Sequence, residues 1–210
     1  IGSWSGIVYY MGKTLEEKFN DVAYIGNLQE VPQATSRGKW AVYKYLFNKK
    51  YLIERETAVV KNYAKQVNRK LHDVDADVII SPGTIPIAEL ETNKPIVFWT
   101  DACFAGMVGF YPEFSNLCEE SIRDGHNVEK AALQRCKLAI YSSEWADQTA
   151  TQFYGVDKSK VKVVPFGANI EHTMTDNEIK EIIEKRPQNK CKLLFMGVDW
   201  TRKGGDIAVK

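Results

Sequence analysis

The sequence predicts an α/β protein built on a doubly wound parallel sheet. Short, continuous apolar runs recur along the chain, and helix-like stretches separate them. Continuous runs of Val, Ile, Leu and Phe are typical of strands buried on both faces, as in parallel sheets covered by helices. Alternation of such strands with helices is the pattern of doubly wound folds. The predicted strands are Val22–Ile25, Val78–Ser81, Ile96–Thr100, Leu138–Ser142, Val161–Pro165 and Leu193–Gly197.

Helical periodicity and capping residues fill the intervals between these strands. Ser143 is a suitable N-cap for a helix that Gly155 would end. Thr175 and Glu178 have the spacing of a capping box, with an apolar face behind them. The predicted helices cover residues 6–20, 39–71 with a break near 48–51, 129–135, 143–154, and a segment that begins after Thr175.

The domain organisation predicted is one domain over residues 1–168 and the beginning of a second over 169–210. The stretch 166–171 follows the last strand of the first domain, so we expect the interdomain hinge there. The strand at 193–197 and the helix that would follow it open a second α/β domain, which needs far more chain. We therefore expect the second domain to be truncated, and a strand to precede the Gly-Ser-rich opening 1–6 in the parent protein.

Composition excludes several classes of function. The 210 residues carry a net charge of +1, which gives no electrostatic reason to expect nucleic acid as a partner. The basic, aromatic stretch 39–70 is interpreted as a solvated helix face, with peripheral contact to a membrane as the less favoured alternative. No apolar run has the roughly 18 to 20 residues that span a bilayer. The four cysteines form no CxxC pair, which favours buried free thiols in a reducing cytoplasm.

Two loops are candidate sites in the predicted first domain. Ser5 and Gly6 lead into a helix, and small residues there let a backbone approach an anionic ligand; an ordinary tight turn is the favoured alternative. Asp101 follows a buried strand, at the edge where ligands bind in open α/β sheets. There it would bind sugar hydroxyls or act as a base, unless it is only a turn aspartate.

Two further candidates lie near the predicted domain boundary. Gly167 and Asn169 follow a strand and tolerate unusual backbone angles, as a cleft-bordering hinge or a plain linker would require. Arg202 and Lys203 lie between a strand and a helix, where they would bind a diphosphate; an exposed turn is the alternative. The sequence contains no metal-ligand motif and indicates no cofactor.

Several segments resemble, in the right order, one family: the retaining GT-B glycosyltransferases of group 1, also called family 4. The most specific segment is 192–206, KLLFMGVDWTRKGGD, which is similar to the opening strand and "KG" turn of that family's second domain. The end of the family's first domain resembles AIYSSEWA at 139–146, YGVD at 154–157 and KVKVVPFGAN at 160–169. The loop at Ser5-Gly6 is similar to the family's first glycine-containing loop.

The resemblance implies two Rossmann-like domains that face each other across a cleft. It implies transfer of a hexose-type sugar from a nucleotide-diphospho-sugar to a hydroxyl acceptor, with retention. From the cysteines and the basic stretch 39–70 we expect a cytoplasmic enzyme or one at the inner face of the membrane. Lys203 matches the family's diphosphate-binding lysine, Arg202 is a helper, and Asp101 would orient or deprotonate the acceptor hydroxyl. Val198 stands where many members carry an arginine. A fragment of this length would be nearly inactive. The alternatives are a nucleotide-sugar epimerase of GT-B shape and a non-catalytic sugar-binding protein.

Overall fold

The computed structural model describes residues 6–19, 21–169, 171, 174–197 and 199–210. The chain forms two compact units, residues 1–169 and 170–210. The first unit is an α/β fold whose four strands form one parallel sheet. Its strands are β1 (Ile79–Ser81), β2 (Ile96–Thr100), β3 (Leu138–Tyr141) and β4 (Val161–Val163). Its helices are α1 (Ile7–Lys18), α2 (Ala34–Leu46), α3 (Thr57–Leu71), α4 (Phe104–Met107), α5 (Glu119–Arg135) and α6 (Glu144–Tyr154), with α7 (Asp176–Glu184) and α8 (Gly205–Ala208) in the second unit.

The strand order is β1-β2-β3-β4, the order of the sequence. A doubly wound sheet has a switch point, where the direction of winding reverses. Among the described strands the order never reverses, so no switch point lies between them. The predicted parallel α/β architecture is therefore confirmed, while a complete doubly wound sheet stays a prediction.

The two faces of the sheet differ in burial. On one face Phe98 and Tyr141 are fully buried, with their rings edge to face and their centroids 5.7 Å apart. On the other face Val97 and Trp99 are half-buried, and Ile80 keeps 37% of its surface exposed. The expectation of burial on both faces is thus only half met. The main core lies between the Phe98 face and helices α3, α5 and α6.

The predicted strand Val22–Ile25 is wrong. Residues 21–33 form an irregular segment, and Tyr24 lies against α1, where its hydroxyl donates to Glu16 Oε1 at 2.9 Å. The ring approaches Gly12 so closely that a Cβ there would lie 2.6 Å from the tyrosine oxygen. The segment is therefore held by a helix contact and not by a neighbouring strand.

The predicted strand Leu193–Gly197 is also wrong. Its residues form no ladder, and Leu193, Leu194 and Met196 are each more than 80% exposed. A strand needs a hydrogen-bonded neighbour, and the described part of the second unit contains no strand with which this run could pair.

Capping residues set the ends of two helices as expected. The Ser143 hydroxyl accepts the Ala146 N–H at 3.3 Å, and Gly155 ends α6 at φ 65°. In the second unit, Thr175 and Glu178 form a complete capping box before α7. The break predicted near 48–51 separates α2 from α3, although α2 begins earlier than expected and α5 begins ten residues before Glu129.

Candidate functional site

The carboxyl edge of the parallel sheet carries Asp101. Asp101 directly follows Thr100, the last residue of β2, and its side chain is exposed while Thr100 is buried. At the same edge Trp99 donates its indole N–H to the Val164 carbonyl at 2.9 Å and packs on Phe166. The structure thus brings two of the predicted sites, the segment after β2 and the segment after β4, to one edge.

The loop after β2 is fixed by the buried ring of Phe104, the first residue of α4. The Arg55 guanidinium carbon lies 4.5 Å from the centroid of this ring, in cation–π geometry. The rings of Phe114 and His126 meet it edge to face. From α5, Gly125 approaches it so closely that no Cβ would fit. Phe104 therefore anchors the segment that carries Asp101.

A buried polar cluster supports this anchor from behind. Glu129 on α5 is 1% exposed, and its Oε2 accepts the Thr84 hydroxyl at 2.9 Å. Arg55 is 5% exposed, and two of its nitrogens, Nε and Nη1, have no hydrogen-bond partner. Burial raises the pKa of Glu129, while the positive charge of Arg55 acts in the opposite direction. Such buried, under-satisfied charges are uncommon and tend to lie near functional sites.

Sequence reasoning missed this cluster, although α5 carries a signal for it. Gly125, Val128, Ala132 and Leu133 form a buried stripe at helical spacing. Glu129 lies four residues after Gly125, on the same stripe, so a carboxylate interrupts an apolar face. That interruption was the available sign of a buried charge.

The side chain of His126 lies next to the cluster. Its Nδ1 is 2.9 Å from the Tyr154 hydroxyl, and its ring stacks on Phe153 at 4.8 Å. Burial first, and then the charge of Arg55, lower the pKa of His126. The uncharged imidazole is therefore favoured, in keeping with a packing role beside Phe104.

The predicted opening loop is described only in part. Ser5 lies outside the described residues. Gly6 is buried at the N-cap of α1 with φ 85°, a left-handed conformation that glycine adopts without strain. The need for glycine at this position therefore has a structural reason, and a ligand-binding role for Ser5 and Gly6 stays a prediction.

The predicted hinge residues do not use unusual backbone angles. Neither Gly167 nor Asn169 has a positive φ, and a Cβ at Gly167 would meet nothing within 4 Å. Backbone strain and close packing therefore give no reason for glycine at position 167. The assignment of these two residues to a hinge stays a prediction.

The predicted diphosphate site lies in the second unit. Arg202 and Lys203 are exposed in the turn before α8, and the Arg202 N–H donates to Asp199 Oδ1 at 2.9 Å. Arg202 Nε also lies 3.8 Å from Asp199 Oδ2. The carboxylate of Asp199 would compete with a phosphate for Arg202, whereas the stem of Lys203 lies against Gly197. Lys203 is therefore the stronger of the two candidates.

The fold and the site together define a class: an α/β protein with an exposed carboxylate at the carboxyl edge of a parallel sheet. Comparison with protein-family models, curated proteins and solved structures finds no match for the chain. Over the described ranges, no three His, Cys, Asp or Glu side chains are grouped so that they could hold a metal ion. In those ranges no helix combines the length and the apolar character needed to cross a bilayer. Cys103, Cys118 and Cys136 are buried free thiols as predicted, but Cys191 is exposed.

Proposed function

We propose that this chain is the acceptor-side domain, with the start of the donor-binding domain, of a retaining glycosyltransferase that uses a nucleotide-diphospho-sugar. The observation that carries the proposal is the position of Asp101. It is an exposed carboxylate immediately after a parallel strand, at the edge where open α/β sheets bind ligands. The motifs at 139–169 and 192–206, which resemble those of group 1 glycosyltransferases, supply the reaction class.

In this proposal Asp101 accepts a hydrogen bond from the acceptor hydroxyl and orients it toward the anomeric carbon of the sugar. A carboxylate in this place would also take the hydroxyl proton as the new glycosidic bond forms. The buried Phe104 ring keeps the loop in one conformation, which lowers the entropic cost of alignment.

Negative charge develops on the leaving nucleoside diphosphate in such a reaction. A fixed cation close to the phosphate oxygens stabilises that charge more in the transition state than in the bound donor. Lys203 is the candidate for this role, with Arg202 as a helper once it leaves Asp199. No step in this scheme requires a metal ion.

The Lys203→Ala substitution in the full-length protein tests the donor side of the proposal. We expect turnover of a nucleotide-sugar donor to fall by at least about tenfold, equivalent to about 1.4 kcal/mol of lost transition-state stabilisation. The matched control is Lys210→Ala, which removes another exposed lysine of the same unit. Unchanged turnover in Lys203→Ala, measured at saturating donor, would overturn the assignment of this residue.

The Asp101→Asn substitution tests the acceptor side. Asparagine keeps the size of the side chain but cannot take a proton, so we expect acceptor-dependent turnover to fall by about a hundredfold or more. Donor affinity, measured by calorimetry, should stay unchanged, as it should in the exposed control Asp157→Asn. An equal loss of donor affinity would contradict the role. Conversion of the donor without any acceptor would instead indicate an epimerase.

A further inference from the structure

Helix α2 is anchored through its polar side. Ser36 is fully buried, and Lys39 Nζ lies 2.6 Å from Glu120 Oε1. The Tyr43 hydroxyl donates to Glu120 Oε2 at 3.3 Å, and its ring stacks on Tyr51 with the centroids 5.4 Å apart. A surface helix ordinarily buries its apolar stripe and exposes its polar side. Here the arrangement is inverted.

The inverted orientation leaves large apolar side chains exposed on the outer side of α2 and at its end. Tyr45, Leu46 and Phe47 are 72%, 76% and 62% exposed. Trp40 and Val42 are 37% and 44% exposed. We call these five residues the α2 face. Single exposed apolar residues are normal on a protein surface, but five large ones within eight consecutive residues mark a surface of interaction.

Basic residues lie close in sequence to the α2 face, and acidic residues are absent from its segment. Two cations of residues 34–50 have partners within the protein, since Lys39 pairs with Glu120 and Lys50 donates to the Pro112 carbonyl. Arg37, Lys44 and Lys49 remain exposed, and no Asp or Glu occurs in this segment. Lys44 lies over the ring of Trp40, with its nitrogen 4.4 Å from the centroid.

An exposed group of Trp, Tyr, Leu and Phe side chains with Lys and Arg close in sequence fits an anionic lipid surface. Trp and Tyr side chains, which combine an apolar ring with a polar end, prefer the headgroup region of a bilayer. The long stems of Lys and Arg let their charged ends reach the lipid phosphates while neighbouring apolar side chains are buried. The cations contribute attraction to acidic headgroups, and no carboxylate within the segment opposes it. We propose that the α2 face docks, without spanning, on a membrane surface that contains anionic lipid. This inference does not depend on the proposed enzymatic function.

Vesicle sedimentation tests the proposal directly. We expect the protein to bind vesicles that contain about 30 mol % phosphatidylglycerol in phosphatidylcholine, and to bind vesicles of phosphatidylcholine alone at least about fivefold more weakly. Raising the salt from about 0.1 M to about 0.5 M should weaken binding, because the Debye length shortens. Absence of binding to the anionic vesicles, or equal binding to both kinds, would overturn the proposal.

Two double variants test whether binding depends on the α2 face and not on the net charge or the general hydrophobicity of the protein. Arg37→Glu with Lys44→Glu, and Leu46→Ser with Phe47→Ser, should each reduce binding by at least about fivefold. The control Lys130→Glu with Lys137→Glu makes the same change in net charge with exposed lysines elsewhere, and should keep most of the binding. Equal loss in the control would contradict the assignment. A dimer in solution that Leu46→Ser with Phe47→Ser dissociates would assign the face to a second copy of the chain and overturn the lipid proposal.

Discussion

Gly125→Ala is expected to destabilise the first unit by about 2–3 kcal/mol, even though alanine favours helices. A Cβ at this position would overlap the ring of Phe104. It would approach three ring atoms, and even the farthest of them, Cε2, would be only 2.6 Å from it. Arg55 covers the ring, and Phe114 and His126 meet it edge to face, so the ring cannot move aside without disturbing them. The measurement is the free energy of unfolding from chemical denaturation of the wild type and the variant.

The matched control is Gly38→Ala, in the middle of α2. There a Cβ would meet nothing within 4 Å, so we expect a gain of about 0.5–1 kcal/mol from helix propensity alone. A smaller side chain at position 104 should relieve the overlap. The double variant Phe104→Leu with Gly125→Ala should therefore lose less stability than the sum of the losses in the two single variants. Additive losses, or a stabilising effect of Gly125→Ala, would contradict the close packing of these two residues.

The elements that the sequence predicts well are those set by short-range interactions or by one long apolar run. The Ser143 cap and the Gly155 terminator of α6, and the Thr175–Glu178 box of α7, each depend on atoms at most a few residues apart. Strand β2 has the predicted bounds, because its first four residues, Ile96 to Trp99, are continuously apolar and Thr100 ends the run. In such cases local chemistry and the final fold agree.

The errors occur where tertiary partners decide. Val22–Ile25 has the composition of a strand but lies against α1 through Tyr24, and Leu193–Gly197 has no described strand beside it. A strand depends on hydrogen bonds to a distant segment. A sequence pattern reports the tendency of a run to be extended and buried, but it does not report whether a neighbour is present.

The same distinction between local and tertiary interactions applies to the candidate site. Asp101 could be singled out because a polar residue that follows a buried strand lies at the ligand-binding edge of a parallel sheet. The anchor behind it could not, because Arg55, Phe104 and Glu129 meet only through the fold, with more than seventy residues between the first and the last. Analysis of sequence motifs therefore does not identify residues that only hold a loop in place.

The titration of Glu129 should make the stability of the first unit depend on pH. Burial raises the pKa of this carboxyl above its unfolded value of about 4.3, so the folded state binds the proton more tightly than the unfolded state does. Stability associated with Glu129 is therefore fully present below about pH 4.3 and falls as the pH rises toward the raised pKa. Between the unfolded and the raised pKa, the loss has a maximum slope of about 1.4 kcal/mol per pH unit.

Glu129→Gln isolates this contribution, because glutamine keeps the side-chain volume and an acceptor for the Thr84 hydroxyl but carries no titrating proton. We expect the free energy of unfolding of the variant to increase relative to that of the wild type as the pH rises from about 5 to about 8. The unpaired amide of glutamine changes this free energy by the same amount at every pH, so it does not affect the trend. Asp157→Asn is the control: hydrogen bonds from Ser159 lower the pKa of Asp157, so its contribution is lost only as the pH falls below the carboxyl range. The difference in free energy of unfolding between Asp157→Asn and the wild type should therefore stay constant from about pH 5 to about pH 8. If the curve of Glu129→Gln also runs parallel to that of the wild type, the carboxyl ionises as readily in the folded protein as in the unfolded chain, and burial does not raise its pKa.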